Sequence, residues 1–112
     1  MTDNIDTIRI QLDYLQGPIW PSDFETGEPL TGNDTVDSDE RVRKLNKQIG
    51  DLYSSYYTMN SHNQACWFDK ARERHDKDLM LRLLGELNQR LQYIDDGSFV
   101  IDDRETGRVK AL

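Results

Sequence analysis

Asp76-Lys-Asp-Leu-Met-Leu-Arg-Leu-Leu-Gly-Glu-Leu-Asn-Gln-Arg-Leu-Gln-Tyr-Ile94 sets Leu79, Met80, Leu83, Leu84, Leu87, Leu91 and Ile94 at three- and four-residue spacing. That period gathers them on one side of an α-helix and predicts the main core element over 76–94, stopped by Asp95-Asp96-Gly97. Upstream, Val42, Leu45, Ile49, Leu52, Tyr53 and Tyr56 form a second stripe. It predicts a helix from an Asp37 N-cap, with Glu40 three residues on, to about Thr58. Two amphipathic helices need a further layer, and strands near both chain ends supply it. Ile8, Ile10, Leu12 and Tyr14 alternate with Arg9, Gln11 and Asp13, the pattern of a strand with one face buried.

Toward the C-terminus, Phe99-Val-Ile101 and Arg108-Val-Lys110 flank Asp103-Arg-Glu-Thr-Gly107, which predicts a β-hairpin. The same D-x-E-T-G pattern at Asp23-Phe-Glu-Thr-Gly27 predicts a smaller hairpin. Residues 59–76 read two ways: Ser61-His-Asn-Gln64 as a capping box opening a helical turn, which is preferred, or Ala65-Cys-Trp-Phe68 as a short strand. The expected fold is a single α+β domain over 1–112, with a small three-stranded antiparallel or mixed sheet packed on two main helices.

Between the first strand and the first helix lies a Pro/Gly-rich loop at about 16–37, punctuated by Gly17, Pro18, Pro21, Gly27, Pro29 and Gly32. Loops of this length are uncommon in small domains unless functional or disordered, and Trp20 and Phe24 are positioned to pin this one to the body. It is also acidic. Residues 1–40 hold ten carboxylates and one base, Arg9, whereas the rest of the chain comes to about +2 of the total −7. Such a field disfavours nucleic acid and anionic membranes as direct ligands and favours a basic protein surface. The bases at Arg41, Arg43, Lys44, Lys47, Lys70, Arg72, Arg74 and Lys77 are interleaved with acids, as on solvated helix faces. The N-terminal residues lack a secretory leader pattern, no apolar run is long enough for a membrane, and Cys66 is the only cysteine. A reducing cytoplasm is the expected location.

No catalytic or metal centre is expected, and no cofactor. Cys66 with His62 or His75 is the one nucleophile–base set, yet the thiol sits in an apolar run beside Trp67 and Phe68, where thiols behave as inert hydrophobes. Their spacing with Asp69 matches no zinc pattern. Asn33 to Glu40 is oxygen-rich but lacks the spacing of a calcium loop, so helix capping explains it better. Asp95-Asp96 and Asp102-Asp103 flank a short strand without a lysine or histidine partner and read as turn formers.

An acidic loop from Asp23 to Glu40, the aromatics Trp20, Tyr56, Tyr57 and Trp67, and the lack of a catalytic set together resemble the small immunity proteins of contact-dependent and other polymorphic bacterial toxin systems. The resemblance covers the whole chain as a type and rests on no diagnostic motif. It implies a tight one-to-one complex, formed by a monomer or weak dimer, that neutralises a toxin domain, often a nuclease. A nuclease surface is basic because it holds phosphates, so a focused negative patch gains fast and selective encounter. The expected partner-binding residues are Asp34, Asp37, Asp39 and Glu40, with Asp23, Glu25 and Glu28 beside them and Trp20 as anchor. Two other classes stay open: a DNA mimic or other acidic inhibitor of a DNA-binding protein, and a small enzyme using Cys66 with a histidine or a carboxylate-bound metal.

Overall fold

Strands from opposite ends of the chain lie side by side in the sheet. β1 (Asp6–Ile10) pairs in parallel with β5 (Phe99–Asp103), setting Ile8 opposite Ile101 and Arg9 opposite Asp102. The other edge of β1 takes β2 (Ile19–Trp20) antiparallel, with Arg9 opposite Trp20. The result is a mixed sheet in the order β2-β1-β5. The computed structural model describes residues 5–59 and 65–112, apart from the side chains of Met59, Ala65 and Cys66.

The alternation read in the first strand decides which face is buried. Ile8, Ile10, Ile19 and Phe99 join Leu45, Ile49, Leu84 and Leu87 in one buried cluster, with the helical members coming from α2 (Glu40–Ser54) and α4 (Lys77–Ile94). Thr7 and Val100, one residue out of step, face solvent. The class is therefore α+β, with two main helices on a small mixed sheet. Among the described residues no helix is long and apolar enough to cross a membrane.

Helix boundaries differ from expectation for reasons of burial and capping. Val36 is fully buried, which requires a separate turn, α1 (Asp34–Asp37), capped by Asn33 accepting from the Val36 N–H at 3.2 Å. Asp39 rather than Asp37 then caps α2, accepting from the Val42 N–H at 2.9 Å. The helix ends at Ser54 rather than Thr58, because β3 (Tyr57–Met59) leaves it to pair antiparallel with β4 (Ala65–Phe68). The preferred helical reading is thus wrong for 65–68, which form a strand; the proposed capping box at Ser61–Gln64 lies outside the described residues. Rings explain the strand: Tyr53, Tyr57 and Phe68 pack with centroids 5.0–6.0 Å apart, and Tyr14 joins Tyr57 at 4.8 Å.

The expected C-terminal hairpin is not formed, since residues 106–110 are the helix α5 (Thr106–Lys110). Both D-x-E-T-G segments begin alike. Asp23 Oδ1 accepts from the N–H groups of Glu25 and Thr26 at 2.9 and 3.4 Å, and Asp103 Oδ1 accepts from those of Glu105 and Thr106 at 2.9 and 3.0 Å. They part at the glycine. Gly27 adopts φ +77° and turns the chain back, so that Ser22 bridges Pro29 in the small hairpin expected there. Gly107 continues into a helix that buries Val109 and turns Arg108 toward α3 (Lys70–His75). Local turn chemistry is shared; tertiary burial chooses the outcome.

Arg108 closes a buried ionic cluster. Its Nη2 meets Glu73 Oε2 at 2.9 Å and its Nε meets Glu105 Oε2 at 2.8 Å, and both carboxylate side chains are only 6% exposed. Guanidinium hydrogen bonds to two carboxylates outweigh the cost of burial and raise the Arg108 pKa.

Candidate functional site

The acidic segment is a fixed structure, and Asn46 is its hub. This fully buried side chain lies on the apolar stripe of α2. Its Oδ1 accepts from the Ile19 N–H at 3.0 Å, while Nδ2 donates to Ser22 Oγ at 2.8 Å and to the Gly27 carbonyl at 2.9 Å. Gly17 and Gly27 permit this approach: a Cβ at Gly17 would stand 2.6 Å from the Asn46 amide, and one at Gly27 would stand 2.5 Å from Lys47 Cβ. Lys47 adds a second tie, donating to the Phe24 carbonyl at 3.0 Å beneath the Phe24 ring.

The eight expected site residues take different roles. Glu28, Asp37, Asp39 and Glu40 come together with Ser38 and Arg43 around one shallow depression of ≈ 370 Å³. Within it Asp37 is a staple, accepting from Thr31 N–H and hydroxyl and from Gly32 N–H at 2.7–3.1 Å. Asp39 is neutralised in place by Arg90, whose Nη2 and Nε meet its two oxygens at 2.7 and 3.0 Å. That bidentate pair, followed by the helix-capping bond, holds the Asp39 carboxyl below the usual carboxylate range. Asp23 is likewise occupied within its own turn. Besides Asp23, the exposed carboxylates of the set are Glu25, Glu28, Asp34 and Glu40, with Glu40 3.5 Å from Lys44 in an exposed pair. Such pairs contribute little to stability, but the Lys44 ammonium offsets part of the Glu40 charge.

The Thr35 hydroxyl donates to Asp96 Oδ2 at 2.7 Å, docking the start of α1 on the turn after α4. Asp96 also accepts from the Ser98 hydroxyl and N–H, and these bonds lower its pKa to about 2 from the ordinary 3.8. A carboxyl with a depressed folded pKa stabilises above its unfolded value and loses that contribution as pH falls. The stability difference between wild type and Asp96→Asn is therefore expected to be constant above about pH 5 and to shrink progressively toward about pH 1. Urea unfolding across that range measures it; a gap unchanged from about pH 5 to about pH 2 would mean the charge is not what Thr35 and Ser98 read.

The chain matches no family model, no curated protein and no solved structure. Asp95 and Asp96 are engaged by Gly97 and Ser98, Asp102 by Arg104, and Asp103 by Asn88 and the start of α5, so these carboxylates serve as turn formers and caps. For Asp103 burial pushes the carboxyl pKa up, but bonds from Thr106, Glu105 and Asn88 outweigh it and leave the pKa lowered. Among the described residues no three of His, Cys, Asp and Glu are grouped so that they could hold a metal ion. His62 and the Cys66 side chain lie outside the described residues, while His75 is exposed at the end of α3.

Trp20 stands apart from the acidic depression, on the solvent side of the sheet. Its Nε1–H donates to the Gln11 carbonyl at 2.7 Å, and the Arg9 guanidinium lies 4.5 Å from its ring centroid. Of the other three aromatics expected to be exposed, Tyr56 is buried and Tyr57 is held in the ring cluster, while Trp67 is 59% exposed. Sequence reasoning passed over Asn46, Arg90 and Arg9. Asn46 had a visible signal, a polar residue within the apolar run of Val42, Leu45 and Ile49. Arg90, fifty-one positions from Asp39, had none.

Proposed function

We propose that this protein is an immunity-type inhibitor that binds a cognate bacterial toxin domain, a basic nuclease, one to one in the cytoplasm of the producing cell. The observation that carries the reading is an acidic surface organised before any partner arrives. Asn46, Asp37 and the Asp39–Arg90 pair fix the backbone from Gly17 to Glu40, and Glu25, Glu28, Asp34 and Glu40 project from it into solvent. A surface already ordered costs little conformational entropy on binding, and its outward charge raises the encounter rate with a basic partner. Asp39 and Asp37 act by positioning; the exposed four act by charge.

The test is the association rate with the toxin domain encoded in the neighbouring reading frame, measured against ionic strength. Reversing two exposed charges, Glu28→Lys with Asp34→Lys, is expected to slow association by about tenfold or more at low salt and to flatten the salt dependence, with the fold unchanged. Asp39→Lys is expected to lower thermal stability instead, because it leaves Arg90 facing a like charge. Association indifferent both to salt and to the double reversal removes the electrostatic argument, and a neighbouring frame without a toxin removes the class.

A further inference from the structure

The face of the sheet turned away from the helices sets charged and exposed apolar side chains next to each other. Strand register places Trp20, Arg9 and Asp102 side by side across β2, β1 and β5, with Thr7 and Val100 paired in the next step toward the start of β1. Thr7, Arg9, Trp20, Pro21, Asp102 and Arg104 line an open depression of ≈ 410 Å³. Next to it Val100 and Ile5 keep 52% and 59% of their surface exposed. The indole at the centre is immobilised by its bond to Gln11 and by the guanidinium stacked on it. A rigid Trp–Arg pair flanked by exposed aliphatic groups is the composition of an interface hot spot.

The two cations here are not equivalent. Arg104 is satisfied by Asp102, Nε to Oδ2 at 2.9 Å. Among the described residues the Arg9 guanidinium has the Trp20 ring but no carboxylate. The depression therefore carries one unmet positive charge, next to apolar surface, on a chain whose net charge is −7. A strongly acidic macromolecule is repelled at long range, so the complementary occupant is local: one carboxylate between apolar side chains on a protein surface that is not itself acidic.

We infer that the open sheet face docks a partner-protein segment presenting a carboxylate between aliphatic side chains, with Arg9 pairing the carboxylate and Trp20, Val100 and Ile5 taking the apolar flanks. This surface uses Trp20 but none of the acidic side chains, so it stands or falls separately from the toxin reading. The probe is a blocked tripeptide with glutamate between two valines, titrated into the ¹⁵N-labelled full chain, with the glutamine tripeptide as control. The glutamate peptide is expected to shift the Trp20 indole N–H and the amides of residues 7–9 and 100–104, and the control to bind about tenfold more weakly. Arg9→Gln, on a solvent-facing position, is expected to retain a dispersed spectrum and to erase the difference between the peptides. Equal shifts with both peptides, shifts confined to other surfaces, or no shifts with either would overturn the assignment.

Discussion

Replacing Arg108 by alanine is expected to destabilise the protein by about 3 kcal/mol, seen as a lower urea midpoint with an unchanged slope. Glu73 and Glu105 are each only 6% exposed and converge on this one guanidinium. Removing it strands two carboxylates out of water and near each other, and breaking such buried pairs costs about 3–5 kcal/mol. The lower end applies because the Arg108 side chain keeps 40% of its surface exposed and water can partly take its place. The same logic predicts recovery: Arg108→Met together with Glu73→Gln and Glu105→Gln removes all the charges at once and is expected to restore most of the loss. If the triple variant is as unstable as Arg108→Ala, packing of α5 rather than charge is what Arg108 provides.

Asn46→Ala is expected to cost about as much but to act on a different region. It leaves the Ile19 N–H and the Gly27 carbonyl without their side-chain partner in a buried setting, at about 1–3 kcal/mol for each group. It also opens space beside Gly17. Hydrogen exchange is the informative readout, because global destabilisation speeds every slowly exchanging amide while local release speeds only some. Amides of 17–30 are expected to lose protection beyond the global change, whereas those of α4 follow the global change alone. Uniform loss across both regions would show that Asn46 supports the core and not the acidic segment in particular.

These two residues also mark where sequence reading stops. The helical stripes and the alternation of β1 were legible because burial repeats with the period of the element: Leu83, Leu84, Leu87 and Leu91 are all buried, as are Ile8 and Ile10. The hairpin at Asp23–Gly27 was legible because its bonds are local. The identical signal at Asp103–Gly107 misled because burial of Val109 and the reach of Arg108 to Glu73 are long-range. The acidic loop was visible from composition, but which carboxylates face outward was not. Asp39 looked like surface charge until the fold brought Arg90 to it. Glu28 and Asp34, by contrast, stay exposed.

The proposed inhibition is decided by titrating this protein into the nuclease domain proposed as its partner. Nuclease activity is expected to fall linearly and disappear at one equivalent, with the Glu28→Lys, Asp34→Lys double variant requiring a large excess. Undiminished activity at a large excess of the wild-type chain would rule the proposal out.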